Sequence, residues 1–185
     1  MKLLFTLLLL VTTVSGWAQE ATLPPLPLDA HTGLITYSEV VPTPGVTQAT
    51  LLARARVWAN RASVPAKPPL VVNEMGTDVL VVAVAQQLPS SEMLNTTRLY
   101  FLAQLSLREG RYQYRLEEFT FELSLGSLTP AEKLLIAAPA ATKGEKRIVA
   151  QVRAQFERAM GEAGATLRAS MATPLVPLDV HGTEW

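Results

Sequence analysis

Cysteine is absent from all 185 residues. That excludes a disulfide framework and a lipid-modified cysteine at a cleavage site, so packing alone must hold the fold. Histidine occurs only twice, which leaves little imidazole for acid–base or metal chemistry. Neither sign of charge dominates: 16 Lys and Arg stand against 16 Asp and Glu. Without a long-range field, binding to nucleic acid and electrostatic docking on acidic lipid are disfavoured. No G-x-S-x-G phrase, Walker phosphate loop or dinucleotide fingerprint occurs in the chain. A serine hydrolase would need one of the two histidines, each near an end of the chain, to reach a serine held in a defined turn.

What is present begins with Met1-Lys2, an apolar run from Leu3 to Val14, and Ser15-Gly16-Trp17-Ala18. A charged start, an apolar core and small residues before a cut after Ala18 predict a secretory signal peptide. The run is shorter than the roughly 20 residues of a membrane span, so no transmembrane segment is expected in the mature chain. Export places the protein in the periplasm or outside the cell, with a net charge near −1 once Lys2 is lost. The expected organisation is a signal peptide over 1–18, a Pro-rich arm over 19–32, one α+β domain over 33–172 and a Pro-rich tail over 173–185. Pro24, Pro25 and Pro27 favour extended geometry in the arm.

The clearest pattern is RLYFLAQLSLREGRYQYRLEEFTFEL, residues 98–123. Leu99, Phe101, Ala103, Leu105 and Leu107 share one side of a period-two strand, as do Tyr112, Tyr114 and Leu116 after the turn. With Glu109-Gly110 as a two-residue loop, Leu107 faces Tyr112, Leu105 faces Tyr114 and Ala103 faces Leu116. A type I′ turn would place Glu109 at positive φ. A four-residue loop would preserve the same face parity. Beyond Leu116 the apolar phase slips to Phe119, Phe121 and Leu123, and one extra residue at Glu117-Glu118, a bulge, restores it. The opposite face carries Gln104, Ser106, Arg108, Arg111, Gln113 and Arg115, with Arg98 opposite Glu122. It reads as a solvated face. An anion patch of Arg108, Arg111 and Arg115 is disfavoured because Glu109, Glu117, Glu118 and Glu122 are interleaved with it.

Elsewhere LITYSEVV (residues 34–41) predicts a first strand stopped by Pro42 and Pro44. Thr47 caps a helix reaching about Ala62, with Leu51, Ala55 and Trp58 on its apolar stripe. LVV (70–72) and DVLVVAVAQ (78–86) flank turn residues and form a hairpin whose second strand, apolar on both parities, should be central. Thr129-Pro130-Ala131-Glu132 predicts a short capped helix ending at Pro139. A long helix from about Gly144 to Ala172 aligns Ile148, Val152, Phe156, Ala159, Met160, Ala163 and Leu167. The expected fold is α+β: a curved antiparallel sheet of about five strands, order β-α-β-β-β-β-α, with two main helices on one face.

Few residues offer chemistry. Adjacent carboxylates such as Glu117 and Glu118 would point to opposite strand faces and cannot flank one glycosidic bond. Asp29-Ala30-His31 is echoed by Asp179-Val180-His181, and two extended arms meeting there would present two carboxylates and two imidazoles, an acceptable metal set; coincidence between two Pro-rich ends is the favoured reading. No cofactor is expected. Tyr100 and Leu102 are apolar spots on the otherwise polar sheet face and are the expected contact points for an envelope protein, glycan or lipid partner. Asn95-Thr96-Thr97 is a glycosylation sequon that suggests an exposed approach to the following strand.

Three segments carry a resemblance: LPLDAHTGLITYSEVV (26–41), LLARARVWA (51–59) and GRYQYRLEEFTFE (110–122). Together they resemble an uncharacterised family of exported Bacteroidetes proteins with a TATA-box-binding-protein-like (TBP-like) fold. The resemblance implies that fold for about residues 26–122, brings no catalytic residues, and does not imply DNA binding. The chain departs from the family in its loop at Pro65 to Pro69 and in its Pro-rich tail.

Overall fold

The computed structural model describes residues 25–62, 71–73, 78–89, 98–123, 126–136 and 142–174, with the backbone alone for 71–73 and 123. The elements run β1 (Tyr37–Pro42), α1 (Gln48–Ala62), β2 (Val71–Asn73), β3 (Val79–Gln87), β4 (Arg98–Arg108), β5 (Arg111–Leu123), β6 (Ser127–Pro130), α2 (Ala131–Leu135) and α3 (Lys143–Ala172). The sheet is antiparallel in the order β1-β5-β4-β3-β2, and β6 pairs with the far half of β5. This is the expected α+β architecture, with one strand more than the five expected.

The β4–β5 hairpin follows its alternation. Leu107 pairs with Tyr112, Leu105 with Tyr114 and Ala103 with Leu116, closed by Arg108 opposite Arg111. Gly110 takes the positive φ of the turn, at 74°. Glu109 does not, so the turn is not type I′; the glycine carries the left-handed conformation by itself. Between Leu102↔Glu117 and Tyr100↔Thr120 the register shifts by one residue. Glu118 sits there at φ 57°, the one non-glycine with positive φ among the described residues. After this bulge Leu99 faces Phe121, and Phe119 and Phe121 both turn inward.

The inward face is the core. On β3 Leu80, Val82 and Val84 are buried, on β4 Leu99, Phe101, Ala103, Leu105 and Leu107, and α1 adds Leu51, Ala55, Trp58 and Ala59. From α3 come Val152, Phe156, Ala159, Met160, Ala163, Leu167 and Met171. Phe156 is the hub of the aromatic packing. Its ring lies 5.0 Å from Phe119 edge-on, 5.9 Å from Phe121 and 6.0 Å from Tyr37, within the range where aromatic pairs attract. Strand β3 is internal rather than central, and its second parity (Val79, Val81, Ala83, Ala85) is only partly covered.

Two helix starts differ from the sequence expectation. Thr129 does not cap α2 but lies in β6 opposite Phe121, and Pro130 is the N-cap without a side-chain hydrogen bond. Glu132 reaches across the fold instead. Its Oε1 accepts the backbone N–H of buried Ile35 at 2.9 Å, tying α2 to the segment ahead of β1. Helix α3 begins at Lys143, a residue ahead of Gly144, and its cap is Thr142. The Thr142 hydroxyl accepts Glu145 N–H while the Glu145 carboxylate accepts Thr142 N–H. That reciprocal pair satisfies two donors that a helix start leaves open.

Replacing Phe119 by Ala should cost about 3–5 kcal/mol in urea unfolding, as for other buried aromatics. Glu118→Gly should instead stabilise the fold by up to about 1 kcal/mol, because glycine removes the left-handed strain.

Candidate functional site

The parity that leaves the core forms an open sheet face, with no helix across it among the described residues. Its β3–β4 half is apolar: Ala83 stands beside Leu102 and Ala85 beside Tyr100, with Val79 and Val81 further along β3. Tyr100 and Leu102 are half-buried rather than prominent. The Tyr100 hydroxyl donates to Glu122 Oε2 at 2.5 Å, and Arg98 lies 3.8 Å from the same oxygen. This bond to the carboxylate, reinforced by burial, raises the phenol's pKa above its ordinary value. The bond ties the Tyr100 side chain of β4 to Glu122 of β5.

The β5 half is polar and organised by Arg115. Its Nε donates to Glu117 Oε2 at 2.6 Å and its Nη2 to Asp29 Oδ2 at 3.1 Å. Asp29 also closes the turn at 28–35, where Leu28 bridges Ile35. Its Oδ1 accepts the backbone N–H of His31 (2.9 Å) and Thr32 (3.0 Å) and the Thr32 hydroxyl (3.2 Å). The backbone bonds from Thr32 and His31, then the Arg115 guanidinium, hold its carboxyl down to about 2.

Of the four residues of the metal reading, Asp29 and His31 share this one turn, with the Asp29 carboxylate occupied on both oxygens. Asp179 and His181 lie outside the described residues, as does the Asn95 sequon. Among the described residues no group of three His, Cys, Asp or Glu could hold a metal ion.

A second cluster, on the helix side, has no counterpart in the sequence patterns. Tyr114 donates to Glu39 Oε2 at 2.6 Å, and Arg168 of α3 reaches the same oxygen at 2.7 Å. Gly164 makes room for this, since a Cβ there would sit 3.3 Å from the Tyr114 hydroxyl. Residues 129 apart in sequence leave no local signal. Burial, then the Glu39 bond, pushes Tyr114 up to about 12, while the Tyr114 bond and Arg168 lower Glu39. A further cleft of about 520 Å³ runs between α1, α3 and the end of β3, floored by Trp58, Val84 and Phe101. Trp58 is 3% exposed and donates to Thr166 Oγ1 at 3.4 Å, so it belongs to the core as its stripe implied.

The resolved shifts share a direction. Carboxyls Asp29 and Glu39 move down, phenols Tyr37, Tyr100, Tyr112 and Tyr114 move up, and the Arg115 guanidinium moves up. Each reinforces the group's ordinary charge at neutral pH, the reverse of what a general acid or base needs. For Asp29 the folded value lies below the unfolded one, so its contribution to stability is full above about pH 4 and is lost as pH falls towards 2. The stability gap between the parent and Asp29→Asn should close over that window, and the Asp29 side-chain carboxyl carbon should titrate near 2 by NMR.

Comparison with known proteins agrees with this architecture. A crystal structure of a DUF4468 family protein from Bacteroides ovatus ATCC 8483 superposes with a TM-score of 0.64 at 15% identity, covering 80% of this chain and 91% of that one. A TBP-like protein from Parabacteroides distasonis ATCC 8503 does so with a TM-score of 0.55 at 12% identity, covering 76% and 96%. No curated protein matches the chain in sequence. The family model for a domain of unknown function with TBP-like fold, DUF4468, matches residues 37–122, from the start of β1 to the end of the bulged β5 hairpin. Over residues 37–122 the chain matches the DUF4468 family, and it shares that family's TBP-like fold.

Proposed function

We propose that the protein is an exported, noncatalytic binding module of the cell envelope that takes its partner, a protein, glycan or lipid, on the open sheet face. The observation that carries this reading is the apolar half of that face: Val81, Ala83, Ala85, Tyr100 and Leu102 lie side by side on β3 and β4, opposite the helices. Apolar side chains grouped on one face and bordered by polar ones suit recognition better than solvation. The direction of the resolved pKa shifts supports a binding role over acid–base catalysis. Export rests on the charged, apolar and small-residue succession of residues 1–18. The alternative of a metal-dependent enzyme or metal-binding protein on the Asp-x-His arms draws no support from Asp29, whose carboxylate already accepts four contacts.

Two measurements test the reading. Protein recovered from the envelope should begin at Gln19; an intact Met1 would contradict export. A photo-crosslinking residue at position 102 should capture a partner in intact cells, and Tyr100→Asp should abolish capture without changing the circular dichroism spectrum. Capture from position 56 on exposed α1, and none from 102, would place the binding surface elsewhere.

A further inference from the structure

The polar end of the open face holds positive charge that the described structure leaves unanswered. Arg108 and Arg111 stand directly opposite each other where the β4–β5 hairpin closes, and both are exposed. Like charges at facing strand positions repel and destabilise the pair. Neither guanidinium has an ion-pair or hydrogen-bond partner among the described residues.

The acids interleaved with them in sequence are engaged elsewhere. Glu117 and Asp29 both serve Arg115, and Glu122 serves Tyr100 and Arg98. Glu39 on the neighbouring strand holds Tyr114 and Arg168 on the other side of the sheet. Glu118 sits at the bulge, about 23 Å along β5 from Arg111 at the ordinary strand rise. Asp78, whose carbonyl accepts Leu107 N–H at the end of β4, gives its carboxylate to Gln48, so among the described residues Glu109, exposed in the turn itself, is the remaining acid beside the arginine pair.

Below the pair the surface is hollow. A depression of about 330 Å³ is lined by Arg108, Arg111, Ser106, Gln113 and Val40. A second of about 340 Å³ shares Ser106 and Gln113 and continues to Gln104, Arg115 and Glu117. Gln113 donates through Nε2 to Ser38 Oγ at 3.3 Å, which leaves its carbonyl oxygen available as an acceptor. The trough therefore offers two guanidinium forks at one end and hydroxyl and amide groups along its length. Guanidinium forks match planar or tetrahedral oxyanions, and amides and hydroxyls match sugar hydroxyls.

We propose that this trough binds an acidic glycan, with a carboxylate or sulfate gripped between Arg108 and Arg111 and the sugar hydroxyls meeting Ser106, Gln104 and Gln113. The proposal rests on the open face being the binding face but uses its polar end, away from Leu102. It is tested by NMR titration of the isotope-labelled mature protein with an oligogalacturonate, its neutral methyl ester, polyglutamate and inorganic sulfate. The expected result is saturable shifts at Ser106, Gln113 and the Arg108 and Arg111 side-chain N–H groups with the oligogalacturonate. Binding should weaken at least about tenfold with the methyl ester and in an Arg108→Ser, Arg111→Ser variant, whose exposed positions spare the fold.

Equal response to polyglutamate would assign the pair to an acidic peptide, and equal response to sulfate would leave a general ion effect; either overturns the proposal, as does the absence of saturable shifts. Tyr100→Asp, with the crosslinking residue at position 102, separates the two readings. It should abolish partner capture while leaving the glycan titration unchanged, so a failed titration with capture intact rejects the trough and not the open face.

Discussion

The alternation of a strand obliges successive side chains to opposite faces, and β5 is 13 residues long with apolar residues on both parities. Glu118 resolves the conflict. By adopting a left-handed conformation and standing unpaired, it shifts the parity so that Tyr112, Tyr114 and Leu116 before it and Phe119 and Phe121 after it all face the helices. Without the shift, two phenylalanines would be on the open face. The strain of a left-handed non-glycine, on the order of 1–2 kcal/mol, is small beside the burial of two aromatic rings at about 1.5–3 kcal/mol each.

The helix layer depends on that parity. Phe156 packs on Phe119, Phe121 and Tyr37 together, so one residue of α3 locks β5 to β1 only because the bulge delivers both β5 rings to it. Strand β4 needs no such shift: its unbroken alternation leaves Tyr100, Leu102, Gln104 and Ser106 on a face that the helices do not need, and the bulge keeps β5 in step with it. The one backbone irregularity lets the long strand β5 serve the same core face along its whole length. On that free surface Arg115 gathers its neighbour Glu117 and the distant Asp29, and Glu122 gathers Arg98 and Tyr100 from the facing strand.

Much of this is legible in the sequence because the signals are local. Period-two alternation and its slip locate the hairpin, its register and the bulge, and the stripe of α3 names its buried residues. Long-range polar contacts carry no such signal. Glu132 looks like a capping-box residue, since Thr-Pro-Ala-Glu has the right spacing, yet its carboxylate serves Ile35, 97 residues away. Glu39, Tyr114 and Arg168 form one cluster from three elements whose approach depends on Gly164, and no spacing in the chain announces it. On the open face, composition shows acids among the arginines but not which acids are already engaged. That distinction separates Arg115 from Arg108 and Arg111 and comes only from geometry.

The bulge at Glu118 is thus the element that sorts core from surface. The most direct test is urea unfolding of the chain with Glu118 deleted, followed by near-ultraviolet circular dichroism. Removing that residue restores strict alternation with Phe119 and Phe121 still inward and takes away the left-handed strain, so the aromatic signal and the cooperative transition should both be kept. Loss of the cooperative transition and of the aromatic signal would contradict the reading of Glu118 as the extra residue that the bulge absorbs.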